Sequence, residues 1–333
     1  MNSRKRMAGV GVSHAAVALC LLTTGAAAQG VRRQATVVEI LGLRHWTRQM
    51  VEDSVARYQP GVSLSDHSCA VILRDSVGFA NAAVLNFGLR DTSWTVLTVL
   101  EPDLRANVRL PIYTDRQPKP ERWHDLFIIL EQDPHALEPL QHAEVLVGGA
   151  DAMWGTPVGP AARALRDALR RHGSAEDWRL SQTTILTDSS IANRTVAALV
   201  LSNFASRDSA YHLLAHGTRT YDNGGSAAQL VLTALTRGAA RAVNWRSATE
   251  ALDALVGGTN LFAYTAVLDA LVATQVDRGL GRELARRHAD LLLEHVSARN
   301  PFSPPPAQRF LTYLAGRDLG RDTVAWRRWL ESP

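Results

Sequence analysis

The sequence predicts a mixed fold, in which a small α+β module of order β-α-α-β-β precedes an all-α helical-repeat array. Two observations carry this expectation. Between residues 36 and 102, short runs rich in β-branched and apolar residues bracket two segments whose apolar positions fall three and four apart. From residue 121 onward the strand-like runs cease. Helical spacing then recurs with glycine-containing breaks, at intervals near 30–45 residues that fit stacked helix pairs.

The module's elements follow in order. Residues 36–41 (TVVEIL) read as a strand ended by Gly42. Thr47 is placed to cap a helix carrying Met50, Val51, Val55 and Tyr58, stopped by Gln59-Pro60-Gly61. Ser65 is placed to cap a second helix with Cys69, Ile72, Leu73 and Val77 on one side, and Gly78 ends it. Residues 82–87 and 94–100 then read as two strands joined through Gly88, Arg90 and Asp91.

These residues resemble a POTRA domain, a small periplasmic module that handles polypeptides ahead of outer-membrane barrels. The likeness is carried by the first strand closing on Gly42-Leu43, by Pro60-Gly61 between the helices, and by Leu73 with Gly78-Phe79 before the second strand. The closing strand from Val96 to Glu101 completes it. It spans residues 36–102 and departs from the family in that no barrel follows. What the resemblance implies is binding through an exposed strand edge, with main-chain hydrogen bonds supplying affinity and alternate side chains selectivity. No catalytic residue comes with it.

Residues 103–120, with Pro111, Pro118 and Pro120 among polar residues, read as a linker. Beyond it, residues 121–333 predict helices around Trp123–Leu130, at 136–147 and at 161–171. Others are expected at 191–204, after Asp208 as a cap, at 227–235 following a break at Asn223-Gly224-Gly225, and from Trp245 to Leu255. The last fall at 261–273, 283–297, 307–314 and 323–330. This part resembles HEAT-type repeat proteins in its Ala-rich helices with Leu at three/four spacing and in Asn203-Phe204 followed by Asp208. Helix-ending glycines and the closing Arg321-Asp322, Trp326-Arg327-Arg328-Trp329-Leu330 add to the likeness. The Trp326 and Trp329 pair is expected to cover the end of the array, since a terminal repeat must close an otherwise open core.

The first 28 residues read as an export signal. Arg4, Lys5 and Arg6 precede an apolar stretch that is clearest at 15–22, and Ala26-Ala27-Ala28 offers a small-residue cleavage pattern. The stretch is shorter than the roughly 20 apolar residues that a membrane span needs. Cys20 follows Leu19, where a lipoprotein signal wants a small residue. The chain carries 36 basic and 32 acidic residues. Residues 1–28 hold three basic and no acidic side chains, so the remainder is near +1. A near-neutral chain has no strong electrostatic case for nucleic acid. Cleavage near Ala28 leaves one cysteine, Cys69, and so no intramolecular disulfide. Cys69 falls on an apolar helical position and reads as a buried thiol.

Motifs that would name a reaction are scarce. Neither GxxxxGK[ST] nor a strand-following GxGxxG nor GxSxG occurs after residue 28. His142-Ala143-Glu144 matches half of a zinc-deaminase signature but has no CxxC to complete it. His212 and His216 form the best metal candidate, because i and i+4 share a helical face, yet catalytic zinc typically takes three protein ligands. Ser65-Asp66-His67 has the residue types of a triad, but consecutive residues at a helix start point in different directions. Asp151, Glu176 and Asp177 read as loop carboxylates without partners.

The resulting expectation is an exported, non-catalytic protein-binding or scaffold protein of the cell envelope. It would be periplasmic or secreted, without a cofactor, without nucleic acid and without a stable membrane span once the signal is removed. Two alternatives stand beside it: an envelope hydrolase built around a His212/His216 metal site, and a cell-wall glycan binder using Trp154 and Trp178.

Overall fold

A computed structural model describes residues 35–332 except 90, 91, 154, 155 and 239. The expected export signal and Trp154 lie outside the described residues. The fold is mixed, largely helical, with a small sheet at its N-terminal side. The sheet comprises β1 (Ala35–Leu41), β2 (Asn81–Leu89) and β3 (Thr92–Leu100), with α1 (Arg48–Tyr58) and α2 (His67–Ile72) between β1 and β2. The strand order is β1-β3-β2, with β1 parallel and β2 antiparallel to the central β3. A parallel β1/β3 pair needs a long crossover, which the two helices provide.

Thr47 caps α1 by accepting from the Met50 amide. The cap of α2 is Asp66, not Ser65: its carboxylate accepts from Ser68 N, while Ser65 hydrogen-bonds Ser63. Asp at this position accepts through a charged oxygen and also complements the helix dipole. After α2 the chain widens into a π-helical turn at Leu73–Val77 that ends on Gly78 at φ +93°.

Both faces of the sheet are buried. Val84, Leu97 and Val99 pack with Val51, Val55, Cys69 and Leu73 of the covering helices. On the opposite face, Leu41 and Val96 meet Ala298, Phe87 stacks on Phe302 at 4.3 Å, and Ala83 and Leu100 join the helical core. Coverage on both sides explains why β3 is buried continuously from Thr95 to Leu100.

After a 3-10 turn at Pro102–Asn107, the chain to residue 120 is irregular but tied to the helices. Arg109 N–H donates to Thr259 Oγ1 at 2.9 Å, Asp115 N–H to the Thr187 carbonyl at 3.1 Å, and Asn193 Nδ2 to the Gln117 carbonyl at 3.0 Å. The helices that follow are α3 (His124–Gln132), α4 (Ala143–Leu146), α5 (Pro160–Leu169), α6 (Ala175–Thr187), α7 (Ile191–Val200) and α8 (Asp208–Gly217). Then come α9 (Asn223–Gly238), α10 (Thr249–Val256), α11 (Tyr264–Ala273), α12 (Arg278–Arg287), α13 (Ala289–Ser297), α14 (Pro304–Ala315) and α15 (Thr323–Glu331). From α6 onward, helices alternate between two packed rows. One runs α6, α8, α10, α12, α15, the other α7, α9, α11, α14, with α13 set between α14 and α15. Among the described residues, no helix is long and apolar enough to cross a membrane.

Several expected elements are corrected. Residues 136–147 are a 3-10 helix at Pro134–Gln141 and then α4, because Pro139 lacks the amide that an α-helix would use. Asn223-Gly224-Gly225 is the first turn of α9, not a break. Glycine is required there: a Cβ on Gly225 would overlap the Thr220 carbonyl, and one on Gly224 would lie 3.0 Å from Arg194 Cβ. Asp208 begins α8 but does not cap it; its carboxylate takes Arg241 and the Asn244 amide instead. Residues 283–297 divide at His288 into α12 and α13. Helix α6 was not expected, since its buried residues are Asp177, Ser181, Thr184 and Ile185, which give no apolar stripe.

Candidate docking surfaces

The sheet's outer edge is β2, and its two halves differ. Ala82 turns its amide and carbonyl away from β3. The amide is taken by Asn81 Oδ1 at 2.8 Å and the carbonyl by Arg74 Nη1 at 2.7 Å. Since strand residues alternate, the same outward direction belongs to Val84, Asn86 and Gly88. For those three, no backbone partner is found among the described residues, and Asn86 and Gly88 are exposed. The other edge, β1, is partly closed: Arg48 Nη1 donates to the Val38 carbonyl at 3.0 Å. Thr95 Oγ1 donates to Asn86 Oδ1 at 2.7 Å, which turns the Asn86 side chain back over the sheet and leaves its main chain clear.

A second surface lies where the end of β1 meets α13 and α15. A cleft of about 660 Å³ opens between Gly42, Arg44, Leu100, Glu294, Val324 and Arg328. It continues into a recess of about 150 Å³ beside Gly257, Arg286, His288 and the start of α13. The cleft is shaped by buried carboxylates that order its rim. Glu101 accepts from three consecutive amides, Arg44, His45 and Trp46, at 2.6, 2.9 and 2.9 Å. Burial pushes the Glu101 carboxyl up, but these donors outweigh it and hold it below the usual range. Glu294 is the opposite case: burial lifts its carboxyl above the usual range, and the Gly42 amide only partly offsets that.

At the recess, Asp253 accepts from His288 Nε2 and Arg287 Nη1, each at 3.0 Å, and from Arg109. Burial lowers the His288 pKa, with Asp253 opposing. Sequence reasoning missed this cluster. Its one signal was the arginine-rich run at 278–287 ending in a histidine.

His212 Nε2 lies 2.8 Å from the Asn244 carbonyl, and His216 is half-buried with Nε2 lacking a partner. Burial lowers the His216 pKa to about 4. Among the described residues, no group of three or more His, Cys, Asp or Glu is placed to hold a metal ion, so the pair gains no third ligand from the fold. Trp178 packs edge-on against Phe204 and lies under the Arg207 guanidinium at 4.7 Å, which covers the face a sugar would stack on. Cys69 is fully buried and burial pushes its thiol up to about 11.

The three acids taken as partnerless are all paired. Asp151 binds Arg166 and Glu176 binds Arg122, both at 2.8 Å. Asp177 forms a capping box with Ser174 and accepts from Arg122 and Trp123 Nε1. Their ion-pair partners Arg166 and Arg122 lie 15 to 55 residues away, which is why the sequence did not reveal them. Comparison with protein-family models, curated proteins and solved structures returns no match.

Proposed function

We propose that this chain is an exported, non-catalytic protein-binding or scaffold protein of the cell envelope. In this reading a POTRA-like module is followed by a HEAT-like helical array, and the mature chain is periplasmic or secreted. The observation that carries it is the half-open β2 edge. One end is plugged by Arg74 and Asn81, while the outward main chain of exposed Asn86 and Gly88 is left for a partner. An extended segment adding there would bond through its backbone, with register set by the plug. The two alternating rows of helices support a repeat array, since from α6 to α12 each helix packs on the next-but-one in sequence. A rigid array fixed to the second face of the sheet would hold that edge in one orientation.

The test is a photocrosslinking residue placed at Asn86 and, separately, at exposed Thr36 on the opposite edge, in cells carrying the full chain. A discrete protein adduct from position 86 that is absent from position 36 is expected. Asn86→Pro, which removes an edge amide without touching the β2–β3 ladder, should abolish the partner's recovery while the far-ultraviolet spectrum is unchanged. Equal adducts from both positions, or none from 86, would reject strand addition at β2.

A further inference from the structure

Helix α9 keeps one face out of the core along its whole length. Asn223, Ser226, Leu230, Thr233 and Arg237 fall three and four residues apart, so they share that face over about 21 Å of helix. All five are exposed or half-buried. Two recesses lie against them. One, of about 740 Å³, runs between α9, the 3-10 helix at Pro134–Gln141 and Ala266 of α11. The other, of about 260 Å³, lies between α9, Asp269 and Val272 of α11, and Arg309 of α14. Thr233, Arg237 and Ala266 line both, so the two recesses join into one trough.

Arg237 stands at the junction and is exposed, with no acidic partner among the described residues. The other charges are engaged in place. Arg309 is paired with Asp269 at 2.7 Å, and Glu138, which lines only the larger recess, lies 2.9 Å from His135 Nδ1. A cation in the last turn complements the α9 dipole, but that uses none of the guanidinium's donors. The remaining lining is of two kinds. Leu137, Leu230 and Val272 supply apolar surface. Gln141, Asn223 and Gln229 supply carboxamides that have no hydrogen-bond partner among the described residues. A carboxamide offers a donor and an acceptor together, the pair that each residue of an extended main chain presents.

The trough thus suits an occupant that is long, partly apolar, able to pair with carboxamides, and negatively charged at one point. Among the described residues, no Trp, Tyr or Phe lines either recess, so a sugar has no ring to stack on. One uncompensated cation gives no strong electrostatic case for nucleic acid. A polypeptide meets every term, and about six extended residues cover the length of α9. We infer that this trough receives an extended acidic segment of a partner polypeptide, with an Asp or Glu side chain on Arg237 and main-chain groups on Gln141, Asn223 and Gln229. The inference rests on the protein-binding reading only in taking a polypeptide as ligand, and uses a surface separate from the β2 edge.

Selection from a displayed library of random heptapeptides tests it, run on the full-length Asn86→Pro chain so that strand addition at β2 contributes nothing. Enriched peptides should carry Asp or Glu at one recurring position with apolar residues beside it. Adding Arg237→Glu, at an exposed position that does not threaten folding, should turn that position to Lys or Arg. By fluorescence anisotropy the leading peptide should bind the Asn86→Pro and unsubstituted chains alike. Its version with the acid replaced by the matching amide should bind about tenfold more weakly, the worth of one charge-assisted hydrogen bond. Arg237→Gln should erase that difference, and Ala266→Trp, which fills the junction of the two recesses, should abolish binding. No enriched peptide, no recurring acid, or the same acid after Arg237→Glu overturns the site, and full affinity in Ala266→Trp overturns its placement in the trough. Failure here with the position-86 adduct retained rejects the trough alone, and the converse rejects strand addition alone.

Discussion

Asp177 shows how much a single buried carboxylate can organise. It is fully buried, accepts from the Ser174 amide at 3.0 Å and hydroxyl at 2.6 Å, and takes Trp123 Nε1 at 3.1 Å and Arg122 Nε at 2.7 Å. Burial alone would raise its pKa, but these donors hold it well below the usual carboxylate range. A depressed carboxyl lends stability that is present above pH ~4 and is lost as pH falls through its folded pKa. Asp177→Asn should lower unfolding free energy by about 2–3 kcal/mol at pH 7, measured by urea titration, and the difference should shrink in acid. His295 works with the reverse sign. It is buried against Tyr264 with ring centroids 4.5 Å apart, neither nitrogen has a partner, and burial lowers its pKa to about 4. The unfolded chain then binds more protons between pH ~6.5 and ~4, so stability falls as pH drops through that window. His295→Phe should flatten the pH dependence of the melting temperature there; an unchanged slope would contradict this account.

Helices and strands illustrate which local signals suffice. Thr47 before α1, the apolar and β-branched runs of β2 and β3, and the helical glycine stop at Gly78 were readable because each acts through neighbours within four residues. Helix α6 was not readable, because polar Asp177, Ser181 and Thr184 sit on its buried face, and the Arg122 and Trp123 that Asp177 meets come from elsewhere in the chain. The break at His288 was equally hidden, since residues 283–297 keep an unbroken helical spacing. Gly42 carries a demand that its neighbours do not announce. It sits at φ +89°, and a Cβ there would overlap the Val99 carbonyl. Gly42→Ala should therefore destabilise the protein by more than the ~1 kcal/mol of backbone strain alone, read by thermal melting, and should disturb the Glu294 side of the cleft.

Across the described residues the sheet and the helices are joined by more than apolar contact. Glu39 on β1 accepts from the Arg299 and Asn300 amides and from Asn300 Nδ2, at 2.7 to 2.9 Å, and Asn81 on β2 donates to the Gly258 and Thr259 carbonyls. These residues form one compact unit. Calorimetry should accordingly give one unfolding transition for the sheet and the helical rows, and Glu39→Ala should move that whole transition down. A separate low-temperature transition for residues 35–100 would count against the shared core. From the sequence alone came the mixed fold class, the β-α-α-β-β order and the approximate places of most helices, because propensity, capping and periodicity act over a few residues. Only the tertiary structure decided that the sheet is covered on both faces, that half of the β2 edge is plugged and half open, and that Gly257, Arg286 and His288 share a recess at the start of α13. Those features depend on residues up to 261 positions apart, and no local pattern records which distant partner a side chain will meet.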